Sequence, residues 1–522
     1  MSTPNKSIIF AVYKLNFDMK RFALYISFIL SLLPQLWAEP FIIMHTNDTH
    51  SMIDPDFDNK GGILRRKVAI DSIRSTNHEN ILIDAGDVVQ GTPYFSLFNG
   101  EPEYALMDSL GYDIMILGNH EFDNGMNDIA KYYSQLKAAK ISTNYDLTDT
   151  PLDNLFVPYI IREFSGKKIA FLGINLNPEG MIAATNSQGI IYNNPYTYSD
   201  SIAGMLKKSR EADAVVVISH IGYKYTRGKE NDVELINKSK YIDLLIGGHS
   251  HTAIDPEKDN SPAWKIPNAE GKLITVCQAG GAGKNLGVID VSFAGDSLVA
   301  KSQLLPIDSH YDTHIDSSLV KYIAPYKHIV DSMMNNVIIV SDVELPNRTS
   351  SQTLNWIADL AYSLGNRIYN EHIDLAIMNK GGMRRDLPKG NISEGLLGAM
   401  FPFDNRLVVL KIKGKDLIDA FSVMVSRGGD AVSNGVHVEY DGNNRITKAT
   451  LHGHKIKDNK IYTLLTLDYL ANGGDYMAPL KNGTLVAVDE EKFGTVVIES
   501  LKEKGNNREH ITSSSETRMN LK

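Results

Sequence analysis

Cysteine is almost absent from this 522-residue chain, in which Cys277 is the only one. A single thiol excludes an internal disulfide framework and any zinc or iron–sulfur site built from several cysteines. Basic residues are not in excess either, since 53 Lys and Arg stand against 62 Asp and Glu, a formal net charge of −9. This balance argues against a nucleic-acid polymer as the partner. Any soft-metal chemistry must depend on the 15 histidines.

Long apolar runs are scarce, and the one clear example lies near the N-terminus. It begins with the basic segment Met19–Lys20–Arg21 and continues with the apolar stretch Phe22 to Leu33. The short segment Leu36–Trp37–Ala38 then precedes the charged Glu39. This is the layout of a secretory signal peptide, and the run is short for a membrane span of about 20 residues. We predict that residues 1–38 are a signal peptide with an upstream extension, starting at Met1 or Met19. The mature protein would then be periplasmic or secreted, with cleavage near Ala38. The alternative is a buried N-terminal helix.

The length indicates at least two domains. From Phe41 to about Asp290, short apolar runs alternate with polar turns and amphipathic stretches, which is typical of an α/β domain. Five of these runs are predicted to be buried strands: Phe41–Met44, Ile81–Ile83, Ile114–Leu117, Ala214–Ile218 and Ile242–Ile246.

Polar side chains follow each predicted strand. The five turns are His45–His50, Asp84–Asp87, Gly118–Asp123, Ser219–His220 and Gly247–His251. In open α/β sheets, ligands bind outside the carboxyl ends of the strands. We therefore expect these five turns to converge on one crevice.

The domain boundaries follow from these patterns. We predict a first domain over residues 39–310, a connector with a helix at residues 311–345, and a second α+β domain over 346–522. Within the second domain, Ser351 to Tyr362 is predicted as a helix, and Leu407–Ile412 and Gly435–Tyr440 as strands. The segment Ser513–Glu516 is predicted to be a frayed end.

The residue types at the five turns suit a two-metal hydrolytic centre, which needs a carboxylate to bridge two ions and a hydroxide held between them. Asp48 and His50 are two apart, so on an extended segment they point the same way and can share one ion. Asp87 is the natural bridging carboxylate. Asn119, His220 and His249 suit the second ion. His251 would bind the first ion, beside Asp48 and His50. Mixed imidazole and carboxylate ligands favour two divalent ions such as zinc, manganese or cobalt over magnesium or calcium.

His120 and Asp123 stand apart from these ligands. A carboxylate three residues after an imidazole can orient and charge the ring. A charged His120 would stabilise developing charge on a phosphoryl group and help to protonate a leaving oxygen. In the alternative interpretation, His120 is one more metal ligand.

These motifs resemble those of the calcineurin-like metallophosphoesterases, and the whole mature chain resembles the bacterial 5'-nucleotidase and UDP-sugar hydrolase family. The resemblance implies a four-layer α/β/β/α metallophosphoesterase domain followed by a smaller α+β nucleotide-binding domain. It implies one ion held by Asp48, His50, Asp87 and His251, and a second held by Asp87, Asn119, His220 and His249. It also implies the pairing of His120 with Asp123. Relatives often carry Gln or Asn at the position of His251.

The second domain contains a glycine turn, Asn379 to Arg384, after an apolar run. An amide and a guanidinium at its ends can hold a hydroxyl and a phosphate. Aromatic residues lie beside two further turns, Phe401–Asn405 and Tyr469–Asp475, and two facing rings can clamp a flat base. The family resemblance implies that Phe403 and Tyr469 sandwich the base and that Asp475 receives ribose hydroxyls, while Asn379 and Arg384 reach ribose and phosphate.

One segment departs from the family pattern. Thr349 and Ser350 occupy positions at which relatives typically carry an Arg-Glu pair. A phosphate-binding Arg is therefore lost or moved to Arg348, and Arg385 is a candidate to replace it.

Together these features predict an exported dinuclear-metal phosphohydrolase that removes phosphate from nucleoside 5'-monophosphates through attack of a metal-bridging hydroxide. The partner is a small-molecule nucleotide, with no stable membrane span, and the sequence carries no signal for oligomeric state. A hinge near residues 316–345 would bring the two domains together. The alternatives on the same scaffold are a 2',3'-cyclic-nucleotide 2'-phosphodiesterase/3'-nucleotidase and a UDP-sugar hydrolase. A catalytically silent nucleotide-binding or adhesion protein would require lost ligands, whereas every expected ligand position is filled.

Overall fold

The computed structural model describes residues 40–77, 79–225, 229–258, 260–346 and 350–522. The predicted signal segment with its cleavage site, and the positions Arg348 and Thr349, lie outside the described residues. Within the described ranges, no helix is both long and apolar enough to cross a membrane.

Two six-stranded sheets form the first half of the chain, with strand orders β14-β13-β1-β2-β3-β4 and β11-β12-β10-β9-β7-β6, while β5 pairs with β8. The strands are β1 (Phe41–Thr46), β2 (Asn80–Asp84), β3 (Ile114–Met115), β4 (Ala139–Lys140), β5 (Tyr145–Asp146), β6 (Tyr159–Phe164), β7 (Lys167–Asn175), β8 (Ile191–Tyr192), β9 (Ala214–His220), β10 (Leu244–Gly247), β11 (Lys265–Pro267), β12 (Leu273–Cys277), β13 (Asn285–Ala294) and β14 (Ser297–Pro306). The five strands predicted from the apolar runs are confirmed as β1, β2, β3, β9 and β10.

The strands that precede the polar turns run parallel. In the first sheet β1 pairs in parallel with β2, and β2 with β3; in the second, β9 pairs in parallel with β10. Their carboxyl ends therefore meet at one edge of each sheet.

Successive side chains of a strand point to opposite faces of the sheet, and the two faces pack against different layers. Along β1, Ile43 is buried in a cluster with Phe171 and Val216 of the second sheet, so this face lies between the two sheets. The neighbouring Met44 belongs instead to the cluster that includes helical residues such as Ile70 and Leu106. Helices therefore cover the outer faces of two sheets packed face to face, which is the four-layer α/β/β/α arrangement.

Six helices accompany these sheets. They are α1 (Ile63–Thr76), α2 (Pro93–Phe98), α3 (Glu101–Leu110), α4 (Met126–Tyr133), α5 (Pro195–Lys208) and α6 (Asp232–Lys238). The start of α5 shows how the sequence sets a boundary: the Asn194 side chain accepts hydrogen bonds from the N–H groups of Tyr196 and Thr197, and Pro195 occupies the first turn.

A long helix, α7 (Ser317–Asn335), follows the first half and confirms the helix predicted in this region. Asp316 caps it by accepting from the N–H of Ser318. Its Leu319, Ile323 and Val330 are buried in the core of the first half. The next strand already belongs to a sheet of the second half, and the boundaries of the connector stay a prediction.

Three sheets form the second half, with orders β17-β15-β25, β19-β16-β23-β18-β24 and β22-β21-β20-β26. The strands are β15 (Val337–Ser341), β16 (Leu375–Met378), β17 (Gly390–Ser393), β18 (Leu407–Lys413), β19 (Ala431–Val432), β20 (Val436–Tyr440), β21 (Ile446–Leu451), β22 (His454–Lys455), β23 (Ile461–Leu467), β24 (Thr484–Val488), β25 (His510–Ile511) and β26 (Met519–Leu521). The helices are α8 (Ser351–Leu364), α9 (Glu394–Met400), α10 (Gly414–Ser426), α11 (Asp468–Ala471) and α12 (Phe493–Asn506). The predicted helix at 351–362 and strands at 407–412 and 435–440 are confirmed, and the fold is mixed α/β with an α+β second part.

The prediction of a frayed end at Ser513–Glu516 is wrong. The side-chain amide of Asn355 donates to the carbonyls of Ser514 and Glu516, and the following β26 pairs in parallel with β20. A serine-rich segment looks unstructured in sequence, but here α8 satisfies its backbone groups.

Candidate active site

The predicted metal ligands form two adjacent clusters at the carboxyl ends of the strands. One contains Asp48, His50 and His251, and the other Asp87, His220 and His249. In each cluster, ligand atoms from the three side chains lie within 4.8 Å of one another. Four of the five polar turns therefore converge in these clusters, and the fifth joins them through the N–H of His120, which donates to Oδ1 of Asp87.

The backbone of this centre is strained. Five of the predicted ligands have positive φ, namely Asp48 (50°), His50 (48°), Asp87 (58°), His249 (71°) and His251 (51°). Non-glycine residues seldom adopt this conformation, and it persists where the surrounding structure imposes it, often at functional sites. The prediction that Asp48 and His50 lie on an extended segment is wrong, because β1 ends at Thr46 and a left-handed turn directs both side chains to one cluster.

In the first cluster the ligand atoms face one another closely. Nε2 of His251 lies 3.3 Å from Oδ1 of Asp48, and Nε2 of His50 lies 3.9 Å from the same oxygen. The two imidazole Nε2 atoms are 2.9 Å apart. These three atoms surround one small volume.

In the second cluster, Oδ2 of Asp87 lies 3.2 Å from Nε2 of His220. The same oxygen lies 3.9 Å from Nε2 of His50, so it faces ligands of both clusters. Oδ1 of Asn119 is buried and accepts no hydrogen bond from the residues that the structure describes. A buried acceptor without a donor is costly unless a cation or water completes it.

Hydrogen bonds from the other ring nitrogens orient two of the imidazoles. Nδ1 of His220 lies 2.6 Å from the carbonyl oxygen of Ala85, and Nδ1 of His50 lies 3.2 Å from that of Val89. A carbonyl can only accept, so each Nδ1 carries a proton, and each Nε2 is the ring nitrogen that faces the cluster. This is the usual arrangement of metal-binding histidines.

The electrostatics of the centre favour an ionised Asp87 beside neutral His50 and His249. Burial disfavours the ionised carboxylate, but His220, His120 and His50 hold the pKa of Asp87 well below its usual range. Burial, reinforced by neighbouring imidazoles, lowers the pKa of His50 and of His249. Burial acts the same way on His220, but Asp87 outweighs it and raises the pKa of His220 to about 10. An anionic oxygen thus lies among nitrogen donors.

Glu121 is a residue for which the sequence analysis gave no role. Its carboxylate accepts hydrogen bonds from the N–H groups of Asp87, Val88 and Gly118, at 3.1, 2.8 and 2.6 Å. It thereby joins the loop after β2 to the loop after β3. The one sequence signal for this role was the position of Glu121, two residues after Asn119 in the turn that follows a buried strand.

His120 and Asp123 form the predicted pair. Nδ1 of His120 lies 2.9 Å from Oδ2 of Asp123, and the backbone N–H of His120 donates to Oδ1 of Asp87 at 2.9 Å. The imidazole is held beside the second cluster without belonging to it.

One cavity of about 800 Å³ joins this centre to the second half of the chain. From the first half, its lining includes Asp87, Asn119, His120, Asp123, His249 and His251. From the second half, it includes all five predicted substrate residues, Asn379, Arg384, Phe403, Tyr469 and Asp475. The remaining ligands, Asp48, His50 and His220, lie deeper.

The second-half residues contact the first half directly. The Phe403 ring lies 5.9 Å from the His120 ring, centroid to centroid, and the Arg384 guanidinium lies 6.0 Å from the Phe403 centroid. The Tyr469 hydroxyl donates to the carbonyl of Gly180 at 3.3 Å. Phe403 and Tyr469 both line the cavity.

The candidate replacements for a phosphate-binding arginine are placed differently. Arg385 directs Nη2 to the sulfur of Met52 at 3.0 Å and is absent from the cavity lining. Arg348 lies outside the described residues. Arg384 is the predicted arginine that the structure places at the cavity.

The donor set fits divalent metals. Each cluster combines imidazole nitrogens with a carboxylate, and Asn119 supplies a buried amide oxygen beside the second. The clusters are adjacent, and one oxygen of Asp87 faces ligand atoms of both, as a carboxylate that bridges two neighbouring ions must.

Comparisons with known proteins agree with this arrangement. Residues 41–253 match the family model "Calcineurin-like phosphoesterase", and residues 335–482 match "5'-nucleotidase, C-terminal domain". The two matched regions together make up more than half of the chain.

Relatives match across both regions. The trifunctional nucleotide phosphoesterase protein YfkN of Bacillus subtilis is 29% identical over 83% of this chain, which spans only 32% of that longer protein. The 5'-nucleotidase of Mus musculus is 27% identical over 87% of each chain. A crystal structure of a 5'-nucleotidase precursor from Thermus thermophilus is 26% identical, with a TM-score of 0.81, over 92% of this chain and 99% of that one.

Both domains, in the same order, thus match in sequence and in fold. The two ligand clusters lie within the region that matches the phosphoesterase model. The chain therefore belongs to the 5'-nucleotidase family of calcineurin-like phosphoesterases and is a metal-dependent phosphoesterase that acts on nucleotides.

Proposed function

We propose that this protein is an exported 5'-nucleotidase that removes phosphate from nucleoside 5'-monophosphates at a dinuclear metal centre. The observation that carries the proposal is the single cavity lined both by the ligand clusters and by Asn379, Arg384, Phe403, Tyr469 and Asp475. A phosphate ester at the clusters would leave its nucleoside within reach of the second domain.

The proposed metal ligands follow the two clusters. Asp48, His50 and His251 would hold one ion, His220, His249 and Asn119 the other, and Asp87 both. Bound there, divalent ions supply positive charge to phosphoryl oxygens and lower the pKa of a water molecule. The ionised state of Asp87 and the Nε2 atoms of His50 and His220, which face the clusters, suit the site to such ions.

His120 acts on the phosphoryl group in this proposal. Asp123 accepts from Nδ1 and fixes the ring, so that Nε2 can donate to a phosphoryl oxygen or to the leaving oxygen. Arg384, at the same cavity, adds a guanidinium for the phosphate or ribose.

The second domain binds the nucleoside in this proposal. Phe403 and Tyr469 would hold the base between their rings, and Asp475 would accept from ribose hydroxyls. The Phe403 ring lies 5.9 Å from the His120 ring, so the base site and the catalytic histidine adjoin across the two domains, and motion between the domains would change their separation. The connector at 311–345, with α7 at its centre, is the proposed hinge.

Export rests on the N-terminal segment, whose basic start and apolar run up to Ala38 are typical of a signal peptide. A periplasmic or secreted nucleotidase would convert charged nucleotides into nucleosides. Finding the uncleaved chain in the cytosol would contradict this part of the proposal.

The substrate panel is the test of the activity. The mature chain, begun at Glu39 and supplied with manganese, cobalt or zinc, is assayed for phosphate release from AMP, 3'-AMP, 2',3'-cyclic AMP and UDP-glucose. AMP is expected to have the highest kcat/KM. A higher kcat/KM for 3'-AMP, the cyclic ester or UDP-glucose would contradict the 5'-nucleotidase assignment without contradicting the proposed metal centre.

A further inference from the structure

Arg427 is a charged residue that contacts the cavity-lining Asp475. It lies just after α10, in the turn Arg427–Gly428–Gly429–Asp430. Its Nη2 atom is 2.9 Å from Oδ2 of Asp475, its Nη1 atom donates to the backbone carbonyl of Asp475 at 3.0 Å, and Nη1 also donates to Oδ2 of Asp430 at 3.2 Å. One guanidinium therefore holds both the side chain and the backbone of Asp475.

These contacts are part of a closed network that joins three loops. The side-chain amide of Asn379 donates to Oδ2 of Asp475 at 2.7 Å. The next residue, Lys380, donates its N–H to Oδ1 of Asp430 at 2.9 Å and its Nζ to the carbonyl of Arg427 at 2.7 Å. The glycine turn, the Arg427 turn and the Asp475 loop are thus fixed relative to one another.

Asp475 needs such support because its backbone is strained. Asp475 and Tyr476 have consecutive positive φ values of 55° and 63°. Two successive left-handed non-glycine residues are unfavourable without compensating contacts. The bond from Arg427 to the Asp475 carbonyl is one such contact.

The division of the carboxylate oxygens is specific. The contacts from Asn379 and from Arg427 Nη2 both go to Oδ2. Asp475 lines the cavity, but Arg427 does not. The guanidinium therefore holds Oδ2 from outside the cavity lining, and Oδ1 is the oxygen that these two contacts leave for a ligand.

We propose that Arg427 is a positioning residue for ribose recognition, which holds Asp475 so that one carboxylate oxygen accepts from the ribose hydroxyls. This inference rests on the proposed function, because it takes a ribonucleotide as the substrate. Arg427 acts through Asp475 and does not touch the substrate itself.

The test compares two substrates in one enzyme. AMP carries both ribose hydroxyls, and 2',3'-dideoxy-AMP carries neither. In Arg427→Met, KM for AMP is expected to rise about 10-fold, because Asp475 loses the charge-assisted hydrogen bonds that hold it, while kcat changes by less than about twofold. KM for 2',3'-dideoxy-AMP is expected to stay within about twofold, because no hydroxyl is there to recognise.

Two further variants separate positioning from a general structural role. Arg427→Lys keeps the charge but not the planar fork, so an intermediate KM for AMP is expected. In an Asp475→Ala background, Arg427→Met is expected to add no further rise in KM, because its effect passes through Asp475. Arg367→Met is the matched control: Arg367 lies 3.8 Å from Asp489 in the same domain, away from the cavity, and both KM values should be unchanged.

The contrary results are equally distinct. Equal changes for the two substrates, or an additive rise in the Asp475→Ala background, would overturn the positioning role while the 5'-nucleotidase assignment stands. Wild-type enzyme that releases no phosphate from AMP would remove the proposed function, and this inference with it.

Discussion

Oδ2 of Asp87 lies 3.2 Å from Nε2 of His220 across the junction of two sheets. Asp87 belongs to the loop after β2 in the first sheet, and His220 ends β9 in the second. The pair therefore forms only when the two sheets pack with their carboxyl-terminal edges together. The metal centre is a product of the layer packing, and its integrity should respond to changes at this contact.

Asp87→Asn tests the shared carboxylate. Loss of the anionic oxygen that faces both clusters is expected to lower retained metal to less than one ion per chain after dialysis. Phosphate release from AMP should fall by on the order of 100-fold or more. Elemental analysis and a phosphate assay measure the two effects. Asp296→Asn, at an exposed aspartate 3.7 Å from Lys167, is the control and should retain both. Full metal content in Asp87→Asn would contradict the shared-ligand role.

His120→Asn separates a catalytic histidine from a metal ligand. Removing the imidazole is expected to lower kcat by about 100- to 1,000-fold, since it would act as a general acid or charge stabiliser. Metal content should stay at the wild-type value. Asp123→Asn, which keeps the imidazole but weakens its orientation, should have an intermediate kcat. Loss of an ion in His120→Asn would instead make His120 a ligand.

Gly180→Ala tests the contact between the halves. Gly180 has φ of +75°, and an added Cβ would lie 2.8 Å from the Tyr476 ring, while the Gly180 carbonyl accepts from the N–H of Asp475. The added methyl would push the Asp475 loop away. KM for AMP is expected to rise by about 10-fold with little change for p-nitrophenyl phosphate, which lacks a nucleoside.

Gly166→Ala is the matched control for backbone strain. Gly166 has nearly the same φ, +77°, but nothing lies within 4 Å of its added Cβ. Its KM for AMP should equal that of the wild type. Equal kinetic effects of the two substitutions would show that the contact with Tyr476 has no role.

His45 should govern part of the acid sensitivity of the fold. It is fully buried, neither ring nitrogen is hydrogen-bonded among the described residues, and burial lowers its pKa from 6.5 to about 4. Between these values the unfolded chain takes up a proton that the folded chain does not, so stability is lost as the pH falls.

His45→Leu removes that loss. Between about pH 7 and about pH 4.5, urea unfolding should show that the variant loses about 2 to 3 kcal/mol less stability than the wild type. The exposed His454→Leu serves as control and should behave like the wild type. An identical pH dependence in His45→Leu and the wild type would disprove the role of His45.

Sequence patterns were sufficient for the strands and for bringing the predicted metal ligands together in two clusters. Short apolar runs such as Ile81–Ile83, bounded by polar turns, favour buried strands over helices because of their length, and the polar residues after them meet because parallel strands end at one edge. The same reasoning brought Asp48 and His50 together, but for the wrong physical reason. Positive φ at non-glycine residues is imposed by tertiary contacts and leaves little trace in the sequence.

The contacts that depend on long-range packing were not predictable in this way. Glu121 and Arg427 act on backbone groups far away in sequence, and a lone acid or arginine beside a turn is usually a solvated surface residue. The turn Arg427–Gly428–Gly429–Asp430 offered a weak signal in its paired opposite charges. The placement of Arg385 against Met52 required the relation between the two halves, which no local pattern contains.

Anomalous diffraction from crystals of the mature enzyme grown with manganese is the measurement that tests the central claim most directly. The account predicts two manganese peaks per chain, one beside Asp48, His50 and His251 and one beside Asn119, His220 and His249, with Asp87 contacting both. A single peak, or two peaks without a shared Asp87 oxygen, would contradict the dinuclear centre.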